Sequence, residues 1–169
     1  YRPREVDLAK RGEPTRVGVL AGRYVHGAEY EAGTIDAWWR EPVVGALWAE
    51  ASLGVLVGTW RDRTTATLAN PVAALGQRLS PRVAAWLSLT LPAASTRGGA
   101  GRLAAALAAE HVADPSRFAP GATTIAAGFG LTRRSSLGFA HADLYAAWTF
   151  RPDAGSLPLV HADVSGGVA

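Results

Sequence analysis

The stretch 121-GATTIAAGFGLTRRSSLGFAHADLYAAWTFRPDAGSLPLVHADVSGGVA-169 decides the fold class. It contains three consecutive segments of strict two-residue alternation. In the middle one, Ala140, Ala142, Leu144, Ala146, Trp148 and Phe150 alternate with His141, Asp143, Tyr145, Ala147 and Thr149. In the last, Val160, Ala162, Val164 and Val168 alternate with His161, Asp163, Ser165 and Gly167. Successive side chains of a strand point to opposite faces, so a period of two over this length predicts β-structure. The segments are also long beside the about five to six residues usual in soluble sheets. One face carries small and aromatic apolar residues. The other carries Gly, Ser, Thr, His and Asp. That division suits a wall between lipid and a polar interior. The expectation is an all-β protein, an antiparallel up-and-down transmembrane β-barrel.

Composition narrows the alternatives. At 169 residues the chain has the length of one domain. No apolar run approaches the roughly 20 residues of a membrane-spanning helix. Cysteine is absent, which leans slightly toward an oxidising envelope compartment. The chain starts at Tyr1 without a basic-then-apolar leader, as expected of a mature or trimmed chain. The formal charge is +3 and Lys10 is the only lysine. No basic stripe is interleaved with stacking aromatics, so a nucleic-acid partner is not expected.

Residues 1–14 are polar and charged and read as a peripheral arm; residues 15–169 form the barrel domain. Strands are expected at Thr15–His26, Gly33–Glu41, Ala46–Trp60, Arg82–Pro92, Gly121–Arg133, Ser136–Arg151 and Leu157–Ala169. Pro42 is expected to mark a turn. Thr64–Leu79 is a further strand, with Ala66, Leu68, Val72 and Ala74 alternating. Asn70 and Pro71 interrupt it, and a bulge or break is expected there. Ser80–Pro81 and Arg134–Ser135 read as tight turns. The longest connection, Ala93–Pro120, includes the helix-forming Gly101–Ala113. About eight strands result, either a whole barrel or part of a larger one. Short turns on one side and longer loops on the other fit the outer-membrane pattern. Trp60, Trp148 and Phe150 are then expected near the outer interface, and Trp39 and Trp48 near the inner one.

The Arg82–Pro92 strand, preceded by Asn70–Pro71 and Gln77-Arg78-Leu79, and the later Arg117-Phe118-Ala119-Pro120-Gly121 leading into a glycine-alternating strand, resemble a known pattern. Over residues 46–169 the chain resembles bacterial outer-membrane β-barrel proteins of the transporter-like group related to the phenol-degradation MetA proteins. The resemblance implies a barrel in the bacterial outer membrane and an envelope channel or porin-like role. It implies no catalytic residue. It also implies more strands than the sequence displays. Eight strands enclose an interior that side chains fill, whereas a wider barrel leaves a solute path.

The face expected to line the lumen contains Arg16, Asp36, Arg40, Glu50, Arg82, His141, Asp143, Tyr145, His161, Asp163 and Ser165. Opposed acidic and basic residues there suit a packed ion network, or ion selectivity in a wider pore. The repeat His141-Ala142-Asp143 and His161-Ala162-Asp163 is the most chemical feature. A polar hydrogen-bonded ladder is its favoured reading; a metal site or a proton relay is the weaker one. His161, Asp163 and Ser165 also share a strand face. Their spacing of about 6.5–7 Å is too long for direct nucleophile–base contact. No cofactor is expected.

Three function classes follow. The first is a porin-like channel or passive transporter for small solutes, or a structural barrel, with the lipid bilayer and lipopolysaccharide as its surroundings and homo-oligomers allowed. The second is an outer-membrane lipid hydrolase or acyltransferase using interior His, Asp and Ser. The third is a soluble β-barrel binding an apolar ligand, which requires the opposite assignment of faces.

Overall fold

The computed structural model describes residues 16–26, 30–60, 63–110, 115–135, 138–152 and 155–168. Nine strands follow in order: β1 (Arg16–His26), β2 (Tyr30–Val44), β3 (Leu47–Trp60), β4 (Arg63–Leu68), β5 (Val72–Arg78), β6 (Val83–Thr90), β7 (Thr123–Ser135), β8 (Gly138–Arg151) and β9 (Gly155–Val168). One helix, α1 (Gly98–Glu110), and a single 3-10 turn at Pro115–Arg117 lie between β6 and β7. All strand pairs are antiparallel. They form one sheet in the order β1-β2-β3-β5-β6-β7-β8-β9, with β4 also on β3. The connectivity is the expected up-and-down path.

Closure is not. Among the described residues no pairing joins β1 to β9, so the sheet is open and not a closed barrel. Among the described residues each end strand has one edge without a ladder partner.

The faces divide as the alternation predicts. On one face Ile35, Leu53, Val55, Leu75, Leu87, Ile125, Phe129, Leu144 and Trp148 are exposed. On the other, Thr34, Asp36, Glu50, Ser52, Ser88, Thr124, Thr132, His141 and Asp143 are buried. Large apolar side chains thus stand on the exposed face and polar ones on the buried face. Among the described residues, α1 and the turn at Pro115–Arg117 lie upon the buried face. A sheet that buries one face and exposes the other curls toward the buried one, which makes the polar face the concave one.

Asn70 and Pro71 break the expected Thr64–Leu79 strand into two. Both pieces pair with β3: β4 along Val55–Trp60 and β5 along Leu47–Ser52. The three residues between them also reset which face each position occupies. Ala66 and Leu68 are exposed, whereas Val72 and Ala74 are buried. The single alternation expected through Ala66, Leu68, Val72 and Ala74 is therefore corrected. Period two does not survive a three-residue interruption.

Two turns move. Pro42 is paired with Trp48 within the ladder, beside a register shift, where a missing N–H is tolerated. The turn is Gly45–Ala46, with Gly45 at φ +58°, a conformation open to glycine. β7 runs through the expected turn at Arg134–Ser135. The Ser80–Pro81 turn is present, and Ser80 Oγ accepts the N–H groups of Arg82 and Val83 at 3.2 and 3.1 Å. The polar arm, residues 1–14, lies outside the described residues.

The helix α1 packs over one end of the concave face. Leu103, Ala104 and Leu107 are fully buried against Ala32, Leu56, Ala69, Ala94 and Phe118. Ala32 and Leu56 stand on the same face of β2 and β3 as Asp36 and Ser52. Gly58 permits the approach, because a Cβ there would lie 2.9 Å from Leu103 Cδ2.

Candidate functional site in the polar interior

The strand break builds the centre of the interior. Asn70 is fully buried. Its Nδ2 donates to the carbonyls of Ser116 and Ala119 at 2.7 and 2.8 Å. Its Oδ1 accepts the N–H groups of Ala93 and Ala94 at 2.9 and 2.8 Å. One side chain thus ties both ends of the β6–β7 connection to the sheet. All four of its hydrogen-bonding positions face backbone groups, which is what makes a buried amide tolerable.

Arg117 extends from the 3-10 turn into the same region. Its guanidinium donates to Ser52 Oγ at 3.1 Å and to the Asn70 carbonyl at 2.7 Å, and pairs with Asp36. The side chains of Arg117 and Asp36 are 9% and 11% exposed. Burial at this level demands pairing, since a lone charge there is strongly disfavoured. Gly54 makes the space: a Cβ at that position would collide with the Asp36 carboxylate and lie 3.0 Å from the arginine.

A second ion pair lies further along the interior. Arg40 Nε donates to Glu50 Oε2 at 2.8 Å, and the guanidinium lies 4.6 Å from the Trp48 ring centroid. Glu50 is 2% exposed. Below it a row crosses five strands in register: Trp48 opposite Gly76, Gly76 opposite Trp86, Trp86 opposite Gly128, and Gly128 opposite Tyr145. Each ring leans over a neighbouring glycine. A Cβ at Gly76 would fall within 2.0 Å of Trp48, and one at Gly128 within 2.5 Å of Tyr145 Cβ. Trp86 and Tyr145 meet at 5.5 Å between centroids, tilted by 51°. Glycine on the inner face therefore serves to seat aromatic rings inside a tight curve.

On β7 and β8, Thr132 Oγ1 hydrogen-bonds His141 Nδ1 at 2.7 Å, and His141 Nε2 hydrogen-bonds Asp143 Oδ2 at 2.8 Å. Both ring nitrogens are engaged and all three residues are buried. For the first copy of the repeat this is a hydrogen-bonded ladder. Across the β8–β9 ladder, His141 is opposite Ser165, Asp143 opposite Asp163 and Tyr145 opposite His161. Among the described residues no group of three His, Cys, Asp or Glu could hold a metal ion.

Asp36, Arg40, Glu50, His141, Asp143 and Tyr145 all stand on the buried face. They fall into separate clusters. Arg82 does not belong with them: it is exposed in the β5–β6 turn. Its strand begins one residue later, at Val83, so the alternation does not reach it. The side chains of Arg16, His161, Asp163, Ser165 and Trp60 lie outside the described residues. Trp39, Trp148 and Phe150 are on the apolar exposed face. Trp48 is corrected from that belt: it packs inside, on Gly76 and against Val72 and Ala74.

Asn70 and Arg117, which join the connection to the sheet, are not among the residues expected to line the interior. For Asn70 a signal is present as an interruption, a polar Asn-Pro in an alternating run. No family model, curated protein or solved structure matches the chain.

Proposed function

We propose that the chain forms the wall of a bacterial outer-membrane β-barrel of the porin-like class, a passive route for small solutes whose interior is occupied in the state described above. One observation carries this reading: the large apolar side chains face outward and the charged and hydroxyl side chains face the concave side. A bilayer as solvent favours that arrangement and water disfavours it. Trp148 and Phe150, both outward near one end of β8, fit a headgroup belt. The soluble-barrel reading loses support, since it needs the apolar face inside. In lipid, an unpaired ladder edge costs several kcal/mol per group. The edges of β1 and β9 therefore call for each other, for further strands, or for a second copy in a homo-oligomer. Lipopolysaccharide and phospholipid are the expected surroundings.

The test is insertion followed by conductance. Purified chain is refolded with lipid vesicles and floated on a density gradient, then recorded in planar bilayers. Co-flotation with protease-protected strands is expected. Chain that stays soluble and monodisperse without detergent and does not float defeats the proposal.

A further inference from the structure

We infer that the described part of the β6–β7 connection, residues 91–110 and 115–122, is a displaceable plug latched across the interior by Arg117 and Asp36, so that releasing the latch opens the route. The inference rests on the channel reading above and adds its regulation.

Three observations carry it. First, α1 and the Pro115–Arg117 turn lie on the buried polar face, not outside it. Leu103 and Leu107 of α1 are buried on Ala32 and Leu56, residues in line with Asp36 and Ser52. Second, the ladder does not need it. β6 and β7 pair from Val83–Leu131 to Thr90–Thr124 with the connection lying beyond the last pair. Third, polar groups hold both of its ends: Asn70 takes the N–H groups of Ala93 and Ala94 and the carbonyls of Ser116 and Ala119, and Arg117 adds a buried ion pair with Asp36 beside its bonds to Ser52 and the Asn70 carbonyl. Apolar packing seats α1 and the charge pair fastens the Arg117 turn, so loss of the pair moves the connection from a seated arrangement to a released one. The ladder is the same in both. Removing either charge leaves the other buried without its partner, which disfavours the seated arrangement.

The chain contains no cysteine, so a designed lock stands alone. Thr65→Cys with Gly99→Cys joins β4 to α1, where a Cβ at Gly99 would lie 3.9 Å from Thr65 Cβ, within disulfide reach. The experiment records Asp36→Asn in planar bilayers, with and without this cysteine pair, after flotation has verified insertion. Asp36→Asn is expected to raise open probability ~10-fold or more over the unmodified chain. Oxidation of the cysteine pair abolishes those openings and a reductant restores them. Deleting residues 98–110 gives constitutive openings and serves if Asp36→Asn fails to insert. Inserted protein in which Asp36→Asn and the deletion conduct no more than the unmodified chain overturns the plug. So do openings that persist under the oxidised lock. Failure of every form to float with vesicles overturns the channel reading itself, and the plug with it.

Discussion

Asn70 and Arg117 bind each other in both directions: the Asn70 N–H donates to the Arg117 carbonyl at 2.9 Å, and the Arg117 guanidinium donates to the Asn70 carbonyl at 2.7 Å. Two residues 47 positions apart thus clamp the strand break to the connection. Replacing Asn70 by Ala strips partners from four backbone groups at once. Each such group left unsatisfied costs about 1–3 kcal/mol. Asn70→Ala is expected to expose residues 91–122 to protease while the strand signal in circular dichroism persists. Asn70→Asp keeps the two acceptor contacts but sets a carboxylate against the carbonyls of Ser116 and Ala119. It should be no milder. Protease resistance equal to the unmodified chain in both variants would contradict the hub.

The Arg117–Asp36 pair makes a quantitative case for a double-mutant cycle. Removing one partner of a buried pair typically costs about 3–5 kcal/mol. Asp36→Leu combined with Arg117→Met removes both charges and should cost clearly less than the two single changes added together. Denaturant midpoints of the four proteins supply the cycle. Additivity within about 0.5 kcal/mol would mean that the two charges do not depend on one another.

Glycine substitutions separate seating from flexibility. Gly128→Ala places a Cβ 2.5 Å from Tyr145 Cβ and 2.6 Å from the Leu144 carbonyl oxygen, and a backbone atom cannot step aside. A loss of about 1–3 kcal/mol is expected, as for other overpacked sites. Gly99→Ala, whose Cβ would lie 3.9 Å from the nearest Thr65 atom, should be neutral or stabilising by up to about 1 kcal/mol. Thermal unfolding in detergent distinguishes them. Equal effects at the two positions would remove the role assigned to the aromatic row.

The outward face gives a prediction specific to the surroundings. Leu144 is 56% exposed at the middle of β8. In lipid, Leu144→Arg should cost about 2–4 kcal/mol of insertion stability. In water, an exposed substitution of this kind stays within about 0.5 kcal/mol. Refolding yields into vesicles, compared with those in detergent micelles, report the difference. A yield into vesicles unchanged by the arginine would count against a lipid-facing β8.

The alternating segments were legible because period two depends on nothing but the chain itself. Leu144 and Asp143 were assigned to opposite faces, and the structure keeps them there. His141 with Asp143 was likewise readable as a ladder from two residues at strand spacing. What escaped depended on partners distant in sequence. Arg117 finds Asp36 only after the break at Asn70 and the folded connection bring them together, and no local pattern records that. Arg82 was misplaced because the strand boundary fell one residue late. Trp48 was placed in a belt by its position near a strand end, although its parity already put it inside; parity was the better guide. A barrel was expected, whole or as part of a larger one, and β1 and β9 have no pairing between them among the described residues.

The independence of the β6–β7 ladder from its connection has an evolutionary reading. The register of β6 on β7 is set by eight consecutive partners, and that of β5 on β3 by six. Neither uses a residue between 91 and 122. Insertions, deletions or wholesale exchange of α1 are thereby decoupled from the scaffold, provided that the Asn70 anchor finds two carbonyls and two N–H groups to bind. Lineages could diversify what occupies the interior while inheriting one wall. The same property makes Gly98–Gly99 a natural graft point for a reporter peptide or a recognition epitope.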